Sequence, residues 1–328
     1  MSTPLNKQGY KYLKNRKKEI KNKNEFSIIF IGDSHNGYVG CPNASNENYL
    51  GMLAAIKHEN KFNSEAACII HGGDTAHYQA GLPNFVNNTE NVLYKTKPKI
   101  PIFCNVGNHD YHNTANGNYS LSSYRSYVLY KEIKYGNSIV DLHAAGFNLA
   151  VVMINTGYRM DGHYPAGTTA NFHGELVTIR SSMNSLLKNH PNMNFVIDMH
   201  IPPHVIYYPS SGTYHIGPQP NDVLNTAWNN DLKNVILKNA KLQPHLLAVV
   251  AHHRHAYYQS SSNVYWVDSQ TPIPVYTTAQ GGNCINNNLK SILEVKLVKS
   301  KGAYNLGHVS RYDYNTTAKL FGNKIPIK

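Results

Sequence analysis

Five short apolar runs of this chain each end directly in a group of histidine, aspartate or asparagine residues. Continuous apolar runs of this length are typical of strands that are buried on both faces of a sheet. In open α/β sheets, ligands bind beyond the carboxyl ends of the strands, so the fold brings side chains at such positions together. The pattern therefore predicts one polar site assembled from distant segments. The runs and the residues after them are FSIIFI (26–31) before Gly32-Asp33-Ser34-His35, ACII (67–70) before His71-Gly72-Gly73-Asp74, IPIFCNV (100–106) before Gly107-Asn108-His109-Asp110, NFVIDM (194–199) before His200, and LLAVVA (246–251) before His252-His253-Arg254-His255.

Stretches with apolar residues at helical spacing lie between several of these runs. Strands that alternate with helices along a chain indicate an α/β fold. The three clearest helical stretches are residues 48–60, 172–189 and 224–235.

The remaining pattern indicates a single folding unit. Two apolar runs on either side of Ala144-Ala145-Gly146 predict a hairpin within residues 138–155. The chain after Val264 is rich in strand-forming residues. Because no repeat and no linker divides the sequence, we expect one domain over residues 26–328.

Positive charge is concentrated at the start of the chain. The sequence holds 31 lysine and arginine residues against 19 acidic residues, a formal net charge of +12, and 8 of the basic residues lie within residues 1–25. We interpret residues 1–25 as a basic N-terminal arm, most simply a solvated and partly frayed helix. The alternative is a dedicated phosphate-binding arm. The charge favours anionic partners, and the hydrophobic fraction of 41% excludes an intrinsically disordered chain.

The polar groups at the strand ends form a mixed set of oxygen and nitrogen ligands. Two carboxylates, one amide and four imidazoles suit Mn, Fe or Zn better than Ca or a lone Mg. Seven side chains are too many for one ion, but they fill two sites if one carboxylate bridges the ions. Each piece alone is a weak signal, and the order of the pieces strengthens it. The sequence thus predicts two divalent or trivalent metal ions, held by Asp33, His35, Asp74, Asn108, His200, His253 and His255.

The same segments resemble the motifs of the calcineurin-like metallophosphoesterases, which include purple acid phosphatases and protein serine/threonine phosphatases. The pattern of that superfamily is D-x-H, then G-D, then G-N-H-D/E, then a lone His, then G-H-x-H. The resemblance covers about residues 26–285. It implies an α/β fold, a four-layer sandwich in which two mixed β-sheets pack face to face and are flanked by α-helices.

The resemblance also implies a role for each motif residue. His109 corresponds to the catalytic histidine of the family, which would act as general acid, and Asp110 would orient its imidazole. The first metal would be held by Asp33, His35 and His255, the second by Asn108, His200 and His253, and Asp74 would bridge the two.

The chain departs from the family pattern in places that bear on substrate binding. His252 stands where the family has glycine, so we expect it to be exposed or to touch substrate. His77 stands where relatives often carry Asp, Asn or Tyr. A long segment rich in Pro, Gly and Tyr follows His200, and we expect His204 and Tyr208 within it to contact substrate. An ordinary surface loop is the alternative for that segment.

These observations favour a dinuclear metal-dependent hydrolase of phosphoesters. We expect a phosphomonoesterase in which metal-activated hydroxide attacks phosphorus and His109 protonates the leaving group. The alternative is a phosphodiesterase that acts on cyclic nucleotides or nucleic acid, and a third hypothesis is an inactive phosphate-binding relative. The expected partner is a small phosphorylated substrate, with nucleic acid as the alternative, and the sequence indicates no oligomeric state. No signal peptide or membrane span is evident, so we expect a cytoplasmic location, or secretion if a signal was trimmed.

Overall fold

The structure is a computed structural model that describes most of the chain. His204, Tyr208 and His255, which the sequence places at the substrate or at the metals, lie outside the described residues. The described residues are 3–20, 24–38, 42–112, 120–157, 171–203, 224, 226–253, 265–266, 273–278 and 290–327.

Helices and strands alternate through the first three quarters of the chain. The α-helices are α1 (Leu5–Glu19), α2 (Pro42–His58), α3 (Asn60–Asn63), α4 (Leu82–Tyr94), α5 (Ser122–Tyr127), α6 (Phe172–Asn189) and α7 (Thr226–Leu232). The strands are β1 (Glu25–Ile31), β2 (Ala66–His71), β3 (Ile102–Cys104), β4 (Glu132–Lys134), β5 (Asn137–Asp141), β6 (Leu149–Ile154), β7 (Asn194–Met199), β8 (Leu246–Ala251), β9 (Tyr265–Trp266), β10 (Pro274–Thr277), β11 (Ser291–Ser300), β12 (Ala303–Asn315), β13 (Leu320–Phe321) and β14 (Ile325–Pro326). A bilayer-spanning helix is absent from the described part of the chain, since none there combines the necessary length with the necessary apolar character.

The strands of the described residues form two mixed sheets of seven strands each. The first sheet has the order β13-β12-β11-β1-β2-β3, with β14 also paired to β12. Within it β1, β2 and β3 are parallel, so their carboxyl ends share one edge. The second sheet has the order β4-β5-β6-β7-β8-β10-β9, and β6, β7, β8 and β10 are parallel. The predicted hairpin is confirmed by the antiparallel pairing of β5 with β6.

Apolar side chains fill the space between the sheets and cover their outer faces. Ile28 and Ile70 of the first sheet share one buried cluster with Val196 and Val250 of the second, which shows that the sheets pack face to face. A second cluster joins α2, α4 and α5 to the outer face of the first sheet. A third joins α6 and α7 to the outer face of the second sheet. The predicted four-layer α/β sandwich is therefore confirmed.

The N-terminal helix is part of the core, so the prediction of a solvated, partly frayed arm is wrong. Leu5 and Leu13 of α1 are buried. The side chain of Asn6 donates to the carbonyl of Cys104 at 3.0 Å and accepts from its N–H at 2.8 Å. Because β3 is the edge strand among the described strands of its sheet, this amide satisfies backbone groups that no described neighbouring strand pairs. The many lysines of α1 make the segment look solvent-exposed from its composition, although one face of the helix is buried. The division of the chain at residue 25 stays a prediction.

Candidate metal centre

Polar side chains from both sheets meet beyond the carboxyl ends of the parallel strands. Asp33, Asp74 and Asn108 follow β1, β2 and β3 of the first sheet. His200 and His253 follow β7 and β8 of the second sheet. The backbone N–H of His253 donates to Oδ2 of Asp33 at 3.1 Å, across 220 residues of sequence. The predicted convergence of distant segments is thus present in the structure.

Asp74 lies at the centre of this group. Its Oδ2 atom is 3.3 Å from Nε2 of His35 and also 3.3 Å from Nε2 of His200. Its Oδ1 atom accepts a hydrogen bond from the backbone N–H of His109 at 2.8 Å. One oxygen of the carboxylate therefore faces imidazoles on two sides, while the other is fixed by the backbone.

The ring of His200 is oriented by the opposite sheet. Its Nδ1 atom donates to the carbonyl oxygen of Gly72 at 2.9 Å, because a carbonyl can only accept. This contact directs Nε2 toward Asp74 and toward Oδ1 of Asn108, which is 2.9 Å away. Nδ1 of His253 lies 3.2 Å from the same Nε2 atom. A ligating histidine whose second nitrogen donates to a carbonyl is the usual arrangement at protein metal sites.

Burial and mutual attraction set the charge state of this group. Burial alone would raise the pKa of the Asp74 carboxyl, but His200, His109 and His35 around it hold that pKa well below its usual range. Burial opposes protonation of His200, yet the charge of Asp74 and the hydrogen bonds to Asp74 and Gly72 raise its pKa to about 9. The surrounding imidazoles thus stabilise the charged form of the buried Asp74 carboxylate, and a bound metal cation could do the same in place of a proton.

The donor atoms fit two metal ions. Among the described residues, Asp33, His35 and Asp74 offer ligand atoms within 4.8 Å of one another, and so do Asp74, His200 and His253. The two groups share Asp74. Carboxylate and imidazole donors in this mixture suit first-row transition metals and zinc.

Four of the eight non-glycine residues with positive φ in the described part of the chain belong to this group. The φ angles are +55° at Asp33, +43° at His35, +53° at Asp74 and +70° at His253, which is the left-handed region that residues with a Cβ rarely adopt. Each such conformation costs about 1–3 kcal/mol and persists only where surrounding contacts enforce it. Strain that accumulates at four convergent polar residues is a mark of a functional site.

A family model described as calcineurin-like phosphoesterase matches residues 26–232 of the sequence. The match spans more than half of the chain and includes the loops that carry Asp33, Asp74, Asn108 and His200. The chain belongs to the calcineurin-like phosphoesterase family. Members of this family typically bind a dinuclear metal centre. No curated protein matches the sequence.

The solved structures that resemble this chain do so at very low sequence identity. The purple acid phosphatase PPD1 from yellow lupin (Lupinus luteus) seeds matches with a TM-score of 0.51 and 11% identity, over 92% of this chain and 53% of that one. The calcineurin-like phosphoesterase YfkN from Bacillus subtilis gives a TM-score of 0.47 and 12% identity, over 91% of this chain and 93% of that one. The chain spans about half the length of the lupin enzyme. At this identity, the likeness to that enzyme establishes the fold alone.

Asp110 does not orient the imidazole of His109, so that prediction is wrong. Its carboxylate accepts hydrogen bonds from the backbone N–H groups of Asp74 (2.9 Å), Thr75 (3.0 Å) and Gly107 (2.8 Å), and from Oγ1 of Thr75 (2.6 Å). Burial and the charge of Asp74 raise the pKa of Asp110 to about 7, against the donors that favour its ionised form. Asp110 therefore ties together the loops after β2 and β3.

The ring of His109 is positioned by other imidazoles. It stacks on His77 with a centroid distance of 4.5 Å, and it lies 4.6 Å from His35 and 4.8 Å from His112. Its Nδ1 atom is buried and has no hydrogen-bond partner among the described residues. The sequence did not predict that His112 would contact His109. It identified His77 only as a departure from the family pattern.

His252 is not exposed, so the prediction of an accessible, substrate-touching side chain is wrong. The residue has 0% relative exposure. Its ring nitrogens meet Asp198 and Thr278 inside the protein. The position of His252 at a strand end suggested substrate contact. Its ring lies instead in the space between the two sheets.

Proposed function

We infer that this chain is a metal-dependent phosphoester hydrolase with a dinuclear centre, and that it acts as a phosphomonoesterase on small phosphorylated substrates. The observation that carries the proposal is the position of Asp74, whose Oδ2 atom is equally distant from one imidazole of each proposed metal site. A bridging ligand needs two accessible lone pairs and a negative charge, and a carboxylate supplies both.

The proposed metal ligands are six residues that converge in the described part of the chain, together with His255, which lies outside it. Asp33 and His35 would serve the first ion, with His255 completing its set. Asn108, His200 and His253 would serve the second, and Asp74 would bridge. Bound there, two cations such as Mn, Fe or Zn would polarise a phosphoryl oxygen and acidify a water between them.

His109 is the residue we assign to proton transfer. Its backbone is fixed by Asp74 and its ring lies beside His35, so it is held next to the proposed ligands without being needed as one. A positioned imidazole near neutral pH can donate a proton to a leaving alkoxide. The stacked His77 restricts the ring to this neighbourhood.

The experiment compares hydrolysis of p-nitrophenyl phosphate with hydrolysis of its bis-ester, with added Mn²⁺, Fe²⁺ or Zn²⁺. The proposal expects metal-dependent turnover of the monoester to exceed that of the diester. Faster turnover of the diester would favour the alternative, a phosphodiesterase that acts on cyclic nucleotides or nucleic acid. No turnover of either ester with any of the metals would favour an inactive phosphate-binding protein.

A further inference from the structure

His252 is held at both ring nitrogens inside the protein. Its Nε2 atom lies 2.8 Å from Oδ1 of Asp198, and its Nδ1 atom lies 2.7 Å from Oγ1 of Thr278. A carboxylate oxygen can only accept unless it is protonated, so Nε2 donates to Asp198. His252 and Asp198 are both completely buried. Polar groups with this degree of burial specify one arrangement when every partner is satisfied.

The ring of His252 fills a gap that two glycines of the other sheet leave open. His252 follows β8 in the second sheet, whereas Gly32 and Gly72 follow β1 and β2 in the first. A Cβ atom at Gly32 would lie 2.5 Å from Nδ1 of His252. A Cβ atom at Gly72 would overlap the same ring. The imidazole is therefore a wedge between the sheets that fits only because both positions lack a side chain.

The residues around this wedge are adjacent to proposed metal ligands. His252 immediately precedes His253, and its own backbone N–H donates to the carbonyl of His200 at 3.0 Å. Gly72 accepts from Nδ1 of His200 through its carbonyl. Asp198 is on β7, two residues before His200, which directly follows that strand. A shift of the ring would thus move the backbone on either side of the second proposed site.

Asn105 extends the network to the loop after β3. Its Nδ2 atom donates to Oδ2 of Asp198 at 2.8 Å and contacts the carbonyl of Ile154 at 3.2 Å. Asn105 lies three residues before Asn108. The Asp198 carboxylate therefore accepts hydrogen bonds from Asn105, on the loop after β3 of the first sheet, and from His252, on the loop after β8 of the second sheet.

We propose that the buried pair Asp198–His252 is a positioning device that holds His200, His253 and Asn108 in register and so sets the affinity of the second metal site. This inference rests on the proposed dinuclear centre. His253 has a left-handed backbone conformation, which needs enforcement from its surroundings. The wedge supplies it through the residue directly before His253.

The test measures metal affinity directly. Metal-free full-length protein is titrated with Zn²⁺ or Mn²⁺ by calorimetry, for the wild type, His252→Gly, Asp198→Asn and His252→Gln. We expect the first two variants to bind the second equivalent about 10–100-fold more weakly, as loss of outer partners does at other metal sites. His252→Gln keeps a donor toward Asp198 and an acceptor toward Thr278, so its affinity should lie within about threefold of the wild type.

A control separates positioning from general packing. Leu232 is buried in the helix-side core of the second sheet and belongs to no part of the network, so Leu232→Ala should lower the melting temperature and leave metal affinity unchanged. The inference would be overturned if the His252 and Asp198 variants had a lower melting temperature, as Leu232→Ala does, but bound both equivalents of metal as tightly as the wild type. If His252→Gly does not fold, Thr278→Val removes only the hydroxyl and tests the same contact. Wild-type protein that binds no metal would instead overturn the proposed function.

A double substitution tests the wedge by itself. Gly72→Ala alone should sharply reduce both folding yield and metal binding, because the new methyl group overlaps the ring of His252. In the His252→Gly background that overlap is gone, so Gly72→Ala should then add little further loss. An equal loss from Gly72→Ala in both backgrounds would show that the ring does not occupy this gap.

Discussion

The carboxylate of Asp110 accepts a hydrogen bond from the backbone N–H of Asp74 at 2.9 Å, across 36 residues of sequence. This contact fixes the loop that carries the proposed bridging ligand to the loop that carries Asn108. It gives Asp110 a role in building the metal centre, separate from any role in the chemistry of His109.

Asp110→Asn should therefore weaken metal binding. The carboxylate accepts from the backbone N–H groups of Asp74, Thr75 and Gly107. The NH₂ group of an asparagine can only donate, so at least one of these buried N–H groups would lose its acceptor. We expect a loss of roughly 2–3 kcal/mol in stability and at least a tenfold loss of metal affinity. Calorimetric titration and urea unfolding measure the two effects. An altered pH–rate profile with unchanged metal affinity would instead support contact with His109.

His109→Ala should slow hydrolysis without removing metal. Loss of a general acid typically costs about 10²–10⁴-fold in kcat. The loss should be smaller for p-nitrophenyl phosphate than for an alkyl phosphate, because nitrophenolate leaves with little help from a proton donor. Steady-state kinetics on the two esters, with elemental analysis of the variant, check this. An equal loss on both substrates would remove His109 from the role of leaving-group acid.

His71 should make the metal-free protein sensitive to acid. The backbone N–H of Gly73 donates to Nδ1 of His71, so Nε2 carries the proton and donates to Oγ of Ser34. Burial, together with the neighbouring His252, lowers the pKa of His71 from 6.5 to about 3. Because the folded pKa lies below the unfolded one, the stability contribution is intact above pH 6.5 and is lost as the pH falls toward 3.

The size of the full loss is of the order of 5 kcal/mol. Urea unfolding of metal-free protein between pH 7 and pH 4 should show a steeper decline for the wild type than for His71→Gln. His58→Gln, a change at an exposed histidine, is the matched control and should keep the wild-type slope. Parallel declines in wild type and His71→Gln would contradict the neutral, buried state of His71.

Asn6→Ala should destabilise the fold, although residue 6 lies outside the domain that the sequence predicts over residues 26–328. It leaves the N–H and carbonyl of the buried Cys104 without their partner, which costs roughly 1–3 kcal/mol. Asn15→Ala removes an exposed asparagine from the same helix and should change stability by no more than about 0.5 kcal/mol. Similar melting temperatures for the two variants would show that α1 does not protect the edge of β3.

The sequence predicted the elements whose signal is local. The runs at 194–199 and 246–251 coincide with β7 and β8, and the helical stretch at 172–189 coincides with α6. Apolar periodicity and strand-end motifs depend only on neighbouring residues, so they can be read without knowing the fold.

Contacts between distant loops could not be predicted in this way. Asp110 stands beside His109 in sequence, yet its partners lie on the loop after β2 and at Gly107. His252 occupies a gap that depends on two glycines in the other sheet. The burial of α1 was obscured because its lysines dominate the composition of that segment. In each of these cases the error concerns which distant residues a side chain contacts, and that depends on the tertiary fold.

The central claim is a pair of metal ions bridged by Asp74, and metal stoichiometry tests it most directly. Metal-free protein is saturated with Mn²⁺, freed of excess metal and analysed for metal and protein, in the wild type and in Asp74→Asn. The account predicts about two ions per chain in the wild type and a loss of affinity at both sites in the variant. A single ion per active chain, or two ions retained by Asp74→Asn with unchanged affinity, would contradict it.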